Sequence, residues 1–168
     1  DPKRIKILYH GSCNPARKIE SLISMVSLLP RHYELYLMLV SANRRYYKWI
    51  CSMAQKQARV FVLKPVPFRE IETFSSRFDI GIALFPGETF NLKYCLPNKL
   101  FQYIQSRLAV ATGPSPEMAR IVKRYSCGVV GDDYTAEAVA EKMKKLTAEE
   151  ITHMKQNADA AAQELHLE

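Results

Sequence analysis

Asn98, Lys99 and Gln102 fall close together at the head of one helical pattern, Leu96-Pro97-Asn98-Lys99-Leu100-Phe101-Gln102-Tyr103. Their types suit phosphate and hydroxyl groups. Pro97 is at home in a helix's first turn, where its missing N–H costs nothing. Asn98 and Gln102 stand four apart and share a face. Phe101, Ile104 and Leu108 supply an apolar stripe at helical spacing. Lys99 lies in the first turn, where a cation opposes the helix dipole unless an anion sits between them. Free N–H groups, the positive dipole end and an ammonium then converge on one point, a phosphate seat. A solvated lysine on an ordinary amphipathic helix accounts for the same residues equally well.

A second group of cations lies near the start of the chain. Gly11-Ser12-Cys13-Asn14-Pro15-Ala16-Arg17-Lys18 follows a short apolar run and reads as a loop that opens a helix. Gly11 and Ser12 permit a tight turn and a close backbone approach to a ligand. Arg17 and Lys18 stand at the helix entrance, a common place for phosphate partners; two solvated charges are the plain alternative. The pattern G-x-G-x-x-G is absent, which disfavours a dinucleotide site. His10 ends the apolar run, and a half-buried histidine is most often structural. His10 and Glu88 are the groups near these stretches that could act as acid or base.

These side chains need a scaffold, and the bulk numbers allow one. The 168 residues suffice for one domain with a proper core. Hydrophobic content of 48% and charged content of 24% are those of an ordinary globular protein, and no apolar run is long enough to span a bilayer. The formal net charge of +7 suits phosphorylated ligands, nucleic acid or an anionic membrane surface. The cations are dispersed: Arg44, Arg45 and Lys48; Arg120, Lys123 and Arg124; Lys142, Lys144 and Lys145. The last group reads as a solvated helix face. With no nucleic-acid-binding signature, phosphate ligands or peripheral membrane association explain the charge more economically. Cys13, Cys51, Cys95 and Cys127 show neither metal-ligand nor redox spacing, and the four histidines are scattered. The expectation is reduced thiols in a cytoplasmic protein, with no metal and no bound cofactor.

Strands are expected at Ile5 to Tyr9, Tyr33 to Val40, Val60 to Leu63, Asp79 to Phe85, Ala109 to Thr112 and Gly128 to Val130. Helices are expected between them, with Asn43 and Thr147 as caps. Phe68 to Phe78 reads as one helix, Ala136 to Leu146 as another, and Pro86 to Cys95 as a long loop. Near-continuous apolar strands mark a parallel sheet covered on both sides. The fold expected is α/β: a doubly wound parallel six-stranded sheet with helices on both faces. Ligands bind such sheets beyond the carboxyl ends of the strands, where the order reverses. If the first strand neighbours the fourth, the two chemically suggestive loops meet there. Asp79 belongs at the opposite end, and Tyr94 and Tyr103 read as packing residues.

Pro97 to Tyr103, followed by Leu108-Ala109-Val110-Ala111-Thr112, resembles the "PNKLFEY…GLPVI" segment of bacterial GT-B glycosyltransferases. More closely, it is similar to the C-terminal, nucleotide-sugar-binding domain of the retaining family-four type, from about Ile5 onward. The resemblance implies a Rossmann-like half of a GT-B fold. It implies that Gly11, Ser12, Arg17, Lys18, Asn98 and Lys99 hold the donor diphosphate. Gln102 would face the ribose, and Lys64, Pro65 and Val66 would hold the base through backbone groups. The family usually has glutamate at Gln102, and its upstream glutamate falls near Tyr94; Glu88 is a substitute in principle. Both departures bear on turnover more than on nucleotide binding.

The reading is a donor-binding domain of a glycosyltransferase that moves sugar from a UDP- or GDP-type donor to a saccharide or lipid-linked acceptor in cell-surface polysaccharide synthesis. Residues 1–168 would be a C-terminal domain excised from a longer two-domain enzyme, its N-terminal acceptor domain missing. Asp1-Pro2-Lys3-Arg4 starts abruptly, and Leu165-His166-Leu167-Glu168 stops inside a helical pattern with a vector-like Leu-Glu. The rivals are a non-catalytic nucleotide-sugar or assembly module, a sugar-nucleotide epimerase, and a nucleic-acid binder supported by charge alone.

Overall fold

Six strands alternate with helices along the chain and every neighbouring pair runs parallel. They are β1 (Ile5–Cys13), β2 (Tyr33–Ser41), β3 (Val60–Leu63), β4 (Ile80–Ala83), β5 (Ala109–Thr112) and β6 (Gly128–Val130), in the order β3-β2-β1-β4-β5-β6. The computed structural model describes residues 3–165. The expectations placed on Asp1 and Pro2, and on His166, Leu167 and Glu168, lie outside the described residues.

The crossovers between parallel strands cover both sheet faces with helices. α1 (Ile19–Met25), α2 (Arg44–Gln55) and α7 (Ala136–Met143) pack on one face around Ile7, Leu35, Leu37 and Ile82. α3 (Ile71–Ser75), α5 (Asn98–Gln105), α6 (Pro116–Tyr125) and α8 (Ala148–Glu164) pack on the other, around Leu8, Val110 and Tyr103. Local signals set the ends. The Asn43 side chain accepts from the Tyr46 N–H at 3.0 Å, and Tyr46, Ile50 and Ala54 then bury one residue per turn. Thr147 and Glu150 form a reciprocal capping box.

The expected fold class stands, and several boundaries move. β1 runs to Cys13, because β2 pairs with it residue by residue as far as Cys13↔Ser41. Gly11 and Ser12 therefore sit in a strand end, not a loop. β4 is shorter than Asp79 to Phe85. Phe68 to Phe78 divides into a 3₁₀ turn, Phe68–Glu70, and the short α3. A further helix, α4 (Phe90–Lys93), capped by the Thr89 side chain, interrupts the expected loop. α7 ends at Met143, before Leu146. α5 starts at Asn98 with Pro97 as its extended cap residue, not in the first turn. It stops at Gln105, where Arg107 adopts φ 61° and the Leu108 N–H bonds back to the Tyr103 carbonyl at 3.0 Å. Its buried stripe is accordingly Leu100, Tyr103 and Ile104, with Phe101 only half-buried and Leu108 buried beyond the helix end.

Candidate functional site

The sheet order reverses between β1 and β4, where β1 pairs with β2 on one side and β4 on the other. A crevice of about 440 Å³ opens there at the carboxyl ends of the strands. One wall is the end of β1, with His10, Gly11 and Ser12, and Arg17 from the following 3₁₀ turn. The other is Phe85 and the head of α5, with Asn98, Lys99 and Gln102. Six residues singled out in the sequence thus share one cavity: Gly11, Ser12, Arg17, Asn98, Lys99 and Gln102.

Lys99 is half-buried, with its ammonium turned towards two aromatic rings. Its ammonium lies 4.0 Å from the centroid of the Tyr9 ring and 5.1 Å from that of Phe85. The Arg17 guanidinium stacks over the same Phe85 ring at 4.8 Å. Ring faces attract cations but cannot neutralise them, and among the described residues no carboxylate pairs with Lys99. Burial, and then the neighbouring Arg17 charge, push the Lys99 ammonium down to about 7. Gly11 makes room for it. With φ at +143°, Gly11 has a backbone that side chains rarely adopt, and a methyl group there would stand 2.8 Å from Lys99 Nζ.

Tyr103 braces the crevice from below. Its hydroxyl donates to the Ile82 carbonyl at 3.0 Å and accepts from the His10 N–H at 3.3 Å. Its ring meets the His10 imidazole edge-on. His10 is buried, and burial, followed by the Lys99 charge, pushes its pKa down to about 4. Its Nε2 has no hydrogen-bond partner among the described residues. The imidazole is thus held neutral, and it lines the crevice.

Two further cavities flank the crevice. One, of about 260 Å³, shares Arg17 and brings in Lys18, Glu88 and Tyr134. Lys18 adopts φ 48°, ψ 48° between the 3₁₀ turn and α1, and its ammonium is ion-paired with Glu88. Lys18 is thus in the neighbouring cavity, not in the crevice, and Glu88 is engaged by it. The other, of about 460 Å³, shares Asn98 and Gln102 and continues to Phe68, Arg69 and Glu72. Asn98 and Gln102 share a face, as their spacing predicts. Lys64 and Pro65 are exposed and Val66 is half-buried against the second core cluster. None of the three lines these cavities, although the third begins two residues beyond Val66. Asp79 lies at the far end of the sheet, accepting from the Lys6 N–H and pairing with Lys155. Tyr94 is exposed and stacks on Phe90; it is not a packing residue. Among the described residues no group of three His, Cys, Asp or Glu side chains could hold a metal ion.

Tyr9 and Phe85, the aromatic seat of Lys99, escape a sequence reading because both look like ordinary strand hydrophobes. The one available signal is that Tyr9 and Gly11 alternate onto the same side of β1.

The fold is shared with solved structures. WaaG, a glycosyltransferase involved in lipopolysaccharide biosynthesis, superposes with a TM-score of 0.74 at 15% identity, over 97% of this chain and 44% of that one. Anabaena HepE, solved with UDP and glucose, gives 0.77 at 12% identity, over 96% and 44%. The chain has the fold of one half of a GT-B glycosyltransferase. The catalytic domain of the Helicobacter pylori cholesterol-α-glucosyltransferase gives 0.73 at 15% identity over 96% of this chain and 97% of that one. The chain spans under half the length of the WaaG and HepE chains it matches. No family model and no curated protein matches the sequence.

Proposed function

We propose that the chain is the C-terminal, donor-binding half of a glycosyltransferase and that the β1–β4 crevice holds the diphosphate of a UDP- or GDP-type sugar donor. The observation that carries this reading is the uncompensated cation pair: Lys99 and Arg17 share the Phe85 ring beneath the N-terminus of α5, with no carboxylate paired to Lys99 among the described residues. A doubly charged diphosphate supplies the missing counter-charge. Its developing charge on departure from the sugar is met by Lys99, Arg17, Asn98 and the free N–H groups of α5. Gly11 and Ser12 let the phosphates approach β1. Lys18 joins when the diphosphate draws it from Glu88. No cofactor is called for; the nucleotide sugar is the substrate.

Gln102, on the same α5 face as Asn98, takes the ribose hydroxyls as an amide that both donates and accepts. The base lies along the groove towards Lys64, Pro65 and Val66. HepE was solved with UDP and with UDP-glucose, which supports a donor of that chemistry. The acceptor, a saccharide or a lipid-linked one in cell-surface polysaccharide synthesis, would be held by an N-terminal domain in a longer cytoplasmic protein. Gln102 and Tyr94, where the resembling enzymes carry glutamates, favour one second reading: a module that binds nucleotide sugar without turning it over.

Isothermal titration of the chain with UDP, GDP and the corresponding nucleosides tests the first reading. A diphosphate that binds at least tenfold tighter than its nucleoside, and loses that advantage in Lys99→Met, supports it. Equal binding of nucleotide and nucleoside removes the diphosphate from this crevice. Donor hydrolysis by the full-length protein separates enzyme from module.

A further inference from the structure

We infer that the outer face of α2 is a docking surface for an anionic lipid bilayer. The observation is a difference among the basic clusters. In the other two basic clusters most cations are ion-paired within the fold: Arg120 with Glu117, Arg124 with Glu164, Lys142 with Asp132 and Lys144 with Glu141. Arg44, Arg45 and Lys48, with Lys56 at the helix end, have no ion pair among the described residues. α2 carries no acidic residue at all. Glu20, which reaches towards the helix, is taken up by the Tyr46 hydroxyl.

Helical spacing sorts these groups. Tyr46, Ile50 and Ala54 turn inward, so Arg44, Arg45, Lys48, Trp49, Ser52 and Lys56 lie on the outward arc, and all six are exposed. Trp49 leaves 49% of its surface in solvent, its ring 5.7 Å from that of Tyr46. Burial of Trp49 in the core would explain an indole here, and it is not buried. An exposed indole among arginine and lysine stems is the pattern of an interfacial anchor: the ring settles at headgroup depth while the cations meet lipid phosphates. Val40, also exposed, precedes the helix at the carboxyl end of β2. Since β2 adjoins β1, the first turns of α2 lie at the end of the sheet where the crevice opens. Docking would hold the crevice mouth beside the membrane. This surface does not depend on the donor reading.

Trp49 is the chain's single tryptophan, so its emission reports on this face alone. The test is co-sedimentation and Trp fluorescence of the 168-residue chain with vesicles of three parts phosphatidylcholine to one part phosphatidylglycerol, against pure phosphatidylcholine. Binding to the anionic vesicles only, a blue shift of Trp49 and weakening between 0.1 and 0.5 M salt are expected. Each cation removed should lower partitioning roughly fivefold, so Arg44→Gln/Arg45→Gln/Lys48→Gln should lose about a hundredfold. The equally discharged Lys142→Gln/Lys144→Gln/Lys145→Gln should lose far less. Circular dichroism of both triple variants verifies folding. Equal losses in the two variants, pelleting without a Trp49 shift, or an oligonucleotide bound through the same residues more tightly than the vesicles would each overturn the proposal.

Discussion

The Lys99 ammonium faces the Tyr9 ring at 4.0 Å, on the side of β1 where Gly11 has no side chain to intrude. The ring's quadrupole offers partial compensation for the charge. A carboxylate would offer more, and then there would be nothing left for an incoming anion. The fold therefore carries a desolvated cation at a cost, and the cost has a pH signature.

Lys99 titrates near 7 in the folded chain and near 10.4 when unfolded. Between those values the unfolded chain binds more protons, so stability rises with pH across that window. Below about 7 the ammonium is charged in both states and the penalty is fully present. Lys99→Met keeps the stem and removes the charge. It should stabilise the chain at pH 6 by about 1–2 kcal/mol, less than a conversion at ~1.4 kcal/mol per unit because the side chain keeps some access to water. The gap should close towards pH 10. Urea denaturation at pH 6, 8 and 10 measures it; a wild type more stable than Lys99→Met at pH 6 would mean that Lys99 is a structural residue.

The same titration should govern nucleotide binding. An anion beside Lys99 favours the protonated form, so binding takes up a proton wherever the free chain is neutral. Affinity for UDP or GDP should be flat below pH 7 and fall as pH rises through 7 to 9, by up to tenfold per unit. Lys99→Met should flatten the profile. Calorimetry in buffers of different ionisation enthalpy reads the proton directly, and no proton uptake at pH 8 would place the phosphate elsewhere.

Two glycines hold the floor of the crevice. A methyl group at Gly81 would stand 2.3 Å from the Tyr103 ring, which its own hydrogen bonds to Ile82 and His10 prevent from retreating. Gly81→Ala should cost about 3 kcal/mol or abolish folding. Gly11→Ala should cost about 1–3 kcal/mol through its positive φ. It should also displace Lys99 and reduce nucleotide affinity at least tenfold. Thermal denaturation ranks the two; a Gly11→Ala protein that binds UDP or GDP normally would show that the Lys99 position is not critical.

The strands, the caps at Asn43 and Thr147, and the meeting of two cationic loops were legible because each depends on local pattern or chain order. Periodicity finds buried strands, and a parallel sheet with a reversed order must have a crevice where it reverses. The seat of Lys99 was not legible. Tyr9, Phe85 and Gly11 come from separate segments, and only the packed sheet brings them under one ammonium. The short α4 was missed because four residues carry no period. Lys18 read as a phosphate partner from its place before a helix, but its partner Glu88 lies 70 residues away and spacing cannot announce it.

Gln102 is half-buried on the α5 face shared with Asn98, opposite the buried Leu100 and Ile104. A carboxylate there keeps contact with water. Gln102→Glu should therefore lower stability by less than about 1 kcal/mol, far from the cost of a charge buried without a partner. It should preserve or improve nucleotide affinity, since a carboxylate accepts from both ribose hydroxyls. Comparing UDP with 2′-deoxy-UDP isolates the contact. A discrimination that grows in Gln102→Glu supports the ribose assignment, and a large drop in melting temperature counts against it.

Glu88 and a bound diphosphate compete for one ammonium. Lys18 reaches across from the start of α1 and pairs with Glu88 on the β4–α4 connection, with both side chains well exposed. Such a surface pair contributes little to stability, so neither Lys18→Ala nor Glu88→Gln should move the melting temperature much. Binding should respond in opposite directions. Glu88→Gln removes both the competitor and a like charge, and should tighten UDP or GDP several-fold while leaving the nucleosides unchanged. Lys18→Ala removes a charge-assisted contact of about 1.5–3 kcal/mol and should weaken the diphosphates roughly ten- to a hundredfold, again sparing nucleosides. The double variant should bind the diphosphates slightly more tightly than Lys18→Ala, because without the ammonium Glu88 has nothing to withhold and acts only as a like charge. Titration of the four proteins with nucleotide and nucleoside completes the cycle. Nucleoside losses equal to the diphosphate losses would remove Lys18 from the phosphate site. If Glu88→Gln instead weakens a UDP-sugar and leaves UDP alone, Glu88 holds the sugar's hydroxyls, and the carboxylate that the resembling enzymes place elsewhere has moved to this loop.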